Sequence, residues 1–415
     1  MTLRRTATLI VIALLAALWV AVGSSGHSRE DGRVTLTLSA ISSTALTELV
    51  EEYSRVAPDV HIKVSAAPID TYQTVLRTRL ASGNAPDLFT VWPGNGNSMS
   101  VAQVAPLGTL ADLSGTAWAR SLPAATRRLL GAGGKVQMWT PGSNVIGAHY
   151  NKAVFARAGV TVPRTWSELL AACDAFRRAG FVPIAVGNQT PWVAQLIDYA
   201  LAPTYAYPGG LDLDRELRSG RTTFGETGWR ETLNRYVELS RHGCFQPNPN
   251  GTSLERVEAM VADGKAAMTV LVASSRASLE AANPEAEFGL FPFPAADRAE
   301  ELRIPAGLSS GLAINAHSKH VAEARRFVAF LARPENARRF NAEASIIALD
   351  GTPGVGFLEP FLEFFHERRT VTFPDQLWPN ADTQREHIAV AQDLLAQRES
   401  VDGGLRRLDR AYALR

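Results

Sequence analysis

Cysteine is nearly missing from this sequence: only Cys173 and Cys244 occur in 415 residues. Neither has the neighbouring partners of a zinc site, so no thiolate-held metal centre is expected. Net charge is close to absent as well. A formal value of +1 supplies no long-range field for capturing nucleic acid or an anionic membrane surface. Beyond the first 30 residues no uncharged apolar run is long enough to span a bilayer. Internal repeats, low-complexity tracts and long linkers are lacking too.

Catalytic signatures are equally scarce. Gly134-Lys135 runs into Val136 and has no glycine five residues earlier, so it is not a phosphate-binding loop. Gly307-Leu308-Ser309-Ser310-Gly311 spells G-x-S-x-G, but that motif needs a turn from strand into helix. Here Leu312 to Asn315 reads as a strand instead. His317 and His320 lack a third ligand nearby. No enzymatic activity, cofactor or metal is therefore expected. Two distant carboxylates can still converge in a fold, which leaves a secreted glycosidase as an alternative.

What is present is a chain too long for one ordinary core, which favours two domains. At its start, Arg4 and Arg5 precede an apolar stretch from Leu9 to Val22. Residues 1–30 thus read as a secretory signal, with Ala21-Val22-Gly23 an acceptable cleavage site. They read equally as an uncleaved membrane anchor, since Thr6 to Gly26 carries no charge. No cysteine follows the run, so lipid anchoring is not available. Either way the body lies outside the cytoplasmic membrane. In that oxidising compartment Cys173 and Cys244 are either a disulfide or two separate small apolar residues.

Periodicity then supplies the class. Val34–Leu38 alternates as a strand, Ser42–Val56 has the apolar spacing of a helix, and Val60–Val64 alternates again. A helix over Asp70–Ala81 and a strand over Asp87–Trp92 follow. Strand–helix–strand order signifies a mostly parallel sheet wrapped by helices, an α/β class. The pattern returns after Tyr150. Thr165 and Glu168 form a capping box before a helix to Arg178. Val182–Val186, Ala266–Val272, Phe288–Phe293 and Leu312–Asn315 read as strands. The tail from Thr383 reads as two helices separated by Val401-Asp402-Gly403-Gly404.

Several segments carry a resemblance. They are Gly83-Asn84-Ala85-Pro86-Asp87-Leu88, then Tyr150-Asn151-Lys152 with Ala158-Gly159, then Pro163-Arg164-Thr165-Trp166-Ser167-Glu168-Leu169. Gly264-Lys265-Ala266-Ala267-Met268 and Gly311–Asn315 follow in the same order. Together they resemble the family 1 extracellular solute-binding proteins of carbohydrate ABC importers, the maltose-binding-protein-like group. The resemblance implies a periplasmic-binding-protein-like fold of type II, two α/β lobes joined by a hinge. The lobes would be 34–145 plus 309–345 and 146–308 plus 346–415. It also implies a monomer that captures a small polar ligand, a mono- or oligosaccharide, and delivers it to an ABC importer permease. A sensor partner feeding a receptor kinase is the other binding role. One departure stands out: many relatives place a Trp where this chain reads Ala273-Ser274-Ser275-Arg276.

Ligands of open α/β sheets sit beyond the carboxyl ends of strands. Sugars need aromatic rings for their C–H faces and amides or hydroxyls for their own hydroxyls. These rules select Ser42 and Ser43 after the first strand, Trp92 and Asn95 after the third, and Trp139 and Asn144 near the first crossover. They also select Asn188, Gln189 and Trp192 after Val186, Ser274 by its alignment, Ser309 near the later crossover, and Trp378 in a late loop. Trp118, Trp166 and Trp229 are assigned to packing.

Overall fold

A computed structural model describes residues 33–210 and 212–414. The signal or anchor over 1–30 lies outside the described residues. No helix among them is long and apolar enough to cross a membrane.

The chain opens with β1 (Val34–Ile41), α1 (Thr44–Val56), β2 (Val60–Ala67), α2 (Ile69–Ala81) and β3 (Leu88–Val91). Ser43 caps α1 by accepting a hydrogen bond from the Leu46 amide, satisfying one of the free donors of a helix start. The helix buries Leu46, Leu49, Val50 and Tyr53. Next come β4 (Ser143–Asn151), α3 (Trp166–Arg178), β5 (Val182–Ala185), α4 (Leu196–Tyr205), α5 (Trp229–Arg241), α6 (Leu254–Ala262) and β6 (Ala266–Val272). The chain continues with β7 (Phe288–Phe291), β8 (Ile304–Leu308), β9 (Gly311–Ile314), α7 (Val321–Leu331) and α8 (Pro334–Glu343). It ends with β10 (Thr370–Val371), α9 (Ala381–Leu395) and α10 (Val401–Tyr412).

The strands form two sheets, each with its own core. The first has the order β2-β1-β3-β9. β1 is parallel to β2 and to β3, and β9 returns antiparallel to β3. Its core runs from Leu36 to Trp139 and is completed by α7, whose Phe327 and Phe330 pack on Tyr53. The second sheet, β10-β8-β4-β6-β5 with β7 beside β4, is mixed. β4 runs antiparallel to β6, β7 and β8, while β5 is parallel to β6 and β10 to β8. The β4–β8 pair is antiparallel because β4 arrives from the first lobe while β8 leaves for it.

Several local expectations change. β4 was not legible as a strand because nearly every residue in it is buried on both faces, which erases the alternation of a half-exposed strand. α4 escapes for the same reason, being apolar all round and buried, with Pro203 inside it. The capping box at α3 is half formed. Thr165 accepts from the Glu168 amide at 3.2 Å, but the Glu168 carboxylate accepts from the Arg164 amide at 2.7 Å, one residue earlier.

Val401-Asp402-Gly403-Gly404 does not separate the last two helices; it begins α10. Ser400 caps that helix, accepting from the Gly403 amide at 3.0 Å. Gly404 is there for close approach: a Cβ on it would lie 2.6 Å from Val390 Cγ1 on α9. Gly404→Val is expected to cost about 1–3 kcal/mol through overpacking of this helix pair. A denaturant midpoint unchanged from the parent would show that the pair can separate without penalty.

Cys173, on α3, and Cys244, just after α5, form a disulfide with Cα atoms 5.3 Å apart. Both are fully buried in the second core.

Candidate functional site

Three chain segments cross between the sheets side by side. The first runs through Thr140–Ser143, the second joins β8 to β9 through Ser309 and Ser310, and the third leads from α8 to Ile347. The Ser309 amide donates to Gly142 O at 2.9 Å, and Thr140 Oγ1 donates to Ser309 O at 2.8 Å. Ser143 and Ile347 exchange both backbone bonds, at 2.7 and 3.0 Å. Glycine is required at two of these points. A Cβ on Gly142 would lie 2.3 Å from Ile347 O, and one on Gly311 would lie 1.8 Å from Trp139 O. Gly307–Gly311 is accordingly a strand-to-strand crossing, with no helix behind the serines.

Above this hinge lies a cleft of about 600 Å³ lined by both lobes. The first lobe supplies Ser42, Ser43, Asp70, Trp139, Phe340 and Glu343. The second supplies Thr190, Trp192, Glu255, Glu258 and Ser274. The hinge itself presents Asn144, Ser309 and Ser310. Seven residues expected at the site therefore meet here: Ser42, Ser43, Trp139, Asn144, Trp192, Ser274 and Ser309.

Their roles differ. Trp192, half-buried on the turn Pro191–Val193, is the one tryptophan lining the cleft that keeps part of its ring accessible. Trp139 is only 1 % exposed, edge-on to Phe340 at 5.9 Å, so it serves as floor rather than platform. Asn144, 8 % exposed, donates to Ser274 Oγ at 2.8 Å, while its Oδ1 accepts no hydrogen bond. Ser309 Oγ, on a residue 7 % exposed, also has no partner. Buried polar atoms without partners are costly, and these two border a cavity that a polar ligand can enter.

Five expected residues lie elsewhere. Trp378 is fully buried among Tyr199, Trp229 and His387, with centroids 5.5–6.0 Å away; it is core. Asn188 is buried as well, donating to Tyr236 Oη at 2.9 Å and to Asn250 Oδ1 at 3.1 Å. Gln189 is exposed outside the cleft, its amide bonded to Thr252 O. Trp92 packs beside Tyr72 at 6.1 Å. Asn95 donates to Pro379 O and accepts from Gln103 Nε2.

The position of Asn95 has a tertiary explanation. The loop after β3 touches the second lobe directly: the Gly96 amide donates to Asp375 O at 2.8 Å. Gly94, at φ +75°, leaves room for Gln376, whose carbonyl oxygen would lie 2.4 Å from a Cβ there. Gln376 in turn brackets β8, its Nε2 donating to Leu308 O and its Oε1 accepting from Leu308 N. Protein therefore fills the space Asn95 would otherwise face.

The glutamates Glu255, Glu258 and Glu343 were the missed feature. Asp70 lies in the first turn of α2, Glu255 in the first turn of α6, and Glu258 one turn further on. Burial against the cleft wall, with Glu255 nearby, lifts Asp70 above the ordinary carboxylate range. Burial and Glu255 lift Glu258 too, although Ser278 Oγ donates to it at 2.5 Å. Arg276 is not among the lining residues and lies over Phe357 at 5.5 Å. Among the described residues no group of His, Cys, Asp or Glu is arranged to hold a metal ion.

A bacterial extracellular solute-binding protein family model matches residues 39–338, most of the chain. The chain belongs to this family. Its members bind solutes rather than transform them, and the family places the protein outside the cytoplasm. The sequence is similar to a multiple sugar-binding protein of Streptococcus mutans, 25% identical, covering 82% of this chain and 81% of the relative. It is also similar to a melibiose/raffinose/stachyose-binding protein of Bacillus subtilis, 23% identical, covering 89% and 88%. In three dimensions it superposes on a structure from a study of xylan utilization by Caldanaerobius polysaccharolyticus. That match has a TM-score of 0.77 and 19% identity, and covers 91% of this chain and 99% of the other. As in the fold of such solute-binding proteins, the cleft lies between two α/β lobes.

Proposed function

We propose that this solute-binding protein captures a mono- or oligosaccharide in the cleft above the hinge and hands it to an ABC importer permease. The observation that carries the reading is the cleft itself. A partly accessible indole faces it, together with two buried oxygens, Asn144 Oδ1 and Ser309 Oγ, that have no other partner. A sugar answers both, laying a C–H face on the ring and offering hydroxyl donors to the oxygens. The sugar-binding relatives in Streptococcus and Bacillus support the same class of ligand.

In this reading the lobes are 34–145 plus 309–345 and 146–308 plus 346–415, and they close by rotation about the three crossings. The protein works as a monomer, either released or held at the outer face of the cytoplasmic membrane by its N-terminal segment.

Specific binding raises the stability of the folded state by RT ln(1 + [L]/Kd), about 2.7 kcal/mol at a hundredfold excess over Kd. A broad saccharide panel followed by melting temperature is therefore expected to yield at least one clear upward shift. A flat response to every mono- and oligosaccharide would remove the sugar assignment while leaving the fold untouched.

A further inference from the structure

The charge on the cleft walls is one-sided. Four carboxylates line it, Asp70 and Glu343 from the first lobe and Glu255 and Glu258 from the second. No lysine, arginine or histidine is among the lining residues. Four helices begin at the cleft, α1, α2, α6 and a short one over Arg276–Ala282, each contributing roughly half a positive charge at its N-terminus. Asp70 and Glu255 occupy two of those first turns. Against four negative charges, roughly two positive equivalents leave an excess of about two negative charges.

The imbalance spans the hinge. Asp70 and Glu255 stand on opposite lobes yet are close enough to act on one another. Closing the lobes on a neutral ligand therefore brings like charges together in a space that is losing water, where their repulsion grows. A cation between them turns that repulsion into attraction, and does so most strongly in the closed form. The two unpartnered buried oxygens, Asn144 Oδ1 and Ser309 Oγ, are acceptors too, so the cleft is rich in groups that accept and carries no positive side chain.

We propose that the ligand is a saccharide bearing a protonated amine, an amino sugar or aminocyclitol unit, and that sugars carrying a carboxylate or phosphate are rejected. The amine lies between the α6 acids and Asp70, while the remaining ring hydroxyls meet Asn144, Ser274 and Ser309. A bare divalent ion is a poorer match, because the acids are not grouped as a metal site. This rests on the reading of the cleft as a saccharide site and narrows it to one charge class.

The test is calorimetric titration of the full-length protein with matched triplets on gluco, galacto and manno scaffolds, as mono- and disaccharides. Each triplet holds one amine, one neutral and one uronate member. In the tightest-binding scaffold the amine member is expected to bind at least about tenfold more tightly than the neutral one, a difference of about 1.4 kcal/mol. The uronate is expected to give no measurable heat. Glu255→Gln with Glu258→Gln should reduce the amine-to-neutral ratio to near one. Tight binding of neutral members with no gain from the amine overturns the charge assignment and leaves the saccharide reading intact. Silence across all triplets overturns both. Stabilisation by micromolar calcium alone, or an amine preference unchanged in the double variant, also overturns the assignment.

Discussion

Changing Trp192 to alanine is expected to weaken saccharide binding by more than about tenfold, or about 1.4 kcal/mol. The backbone beneath this ring is anchored on both sides. The Val193 amide closes the turn on Thr190 O, and the Leu254 amide is held by Thr190 Oγ1 at 3.0 Å. The ring is thus presented to the cleft on a fixed turn, and little ordering remains to be done when a sugar stacks on it. An aromatic side chain buries up to about 150–250 Å² with only two torsions to restrict. Because the ring also packs against the second core, the variant should melt a few degrees lower even without ligand. Affinity and melting must therefore be read separately, by calorimetry at 25 °C and by thermal denaturation. An unaltered Kd would assign the ring to packing alone.

The second large effect concerns the Cys173–Cys244 bridge, whose partners are 71 residues apart in sequence. Closing a loop of that length in the unfolded chain stabilises the native state by about 4 kcal/mol on the chain-entropy model, within the usual 2–5 kcal/mol for native bridges. For a lobe of this size, 1 kcal/mol corresponds to roughly 2–4 °C. The Cys173→Ala/Cys244→Ala variant should thus melt roughly 10 °C below the parent. Its ligand affinity at 25 °C should be unchanged, because the bridge ties α3 to the segment after α5, inside the second core and away from the cleft. An unchanged melting temperature would mean that the reduced, unfolded chain is already constrained over this span. Loss of ligand affinity in a folded variant would mean that the bridge reaches the cleft through β5.

Much of the site was readable because strand ends are readable. Short apolar runs located β1 and β5, and Ser42 and Trp192, in the segments that follow them, line the cleft, as does Ser274, which came from its alignment. The same rule chose Trp92 and Asn95 after β3, and there it failed. Their loop meets Asp375–Pro379 of the other lobe, a contact between segments about 280 residues apart that no local pattern announces. Trp378 failed for a related reason: a loop-like sequence, Pro374 to Asn380, lies against α9 and buries its indole under Tyr199 and His387. The glutamates were overlooked because they have ordinary local roles. Glu255 is the carboxylate expected in a first helical turn.

By itself the sequence determined most of the elements and the family. Periodic burial and helix-start residues are local properties, and ordered motifs from Gly83 to Asn315 survive as strings. Only the tertiary structure decided which strand ends face each other, which tryptophan stays accessible, and that four acids share one cleft. Those are relations between lobes, set by the hydrogen bonds of three crossing segments and by the contact of two loops distant in the chain. No periodicity along the sequence records them.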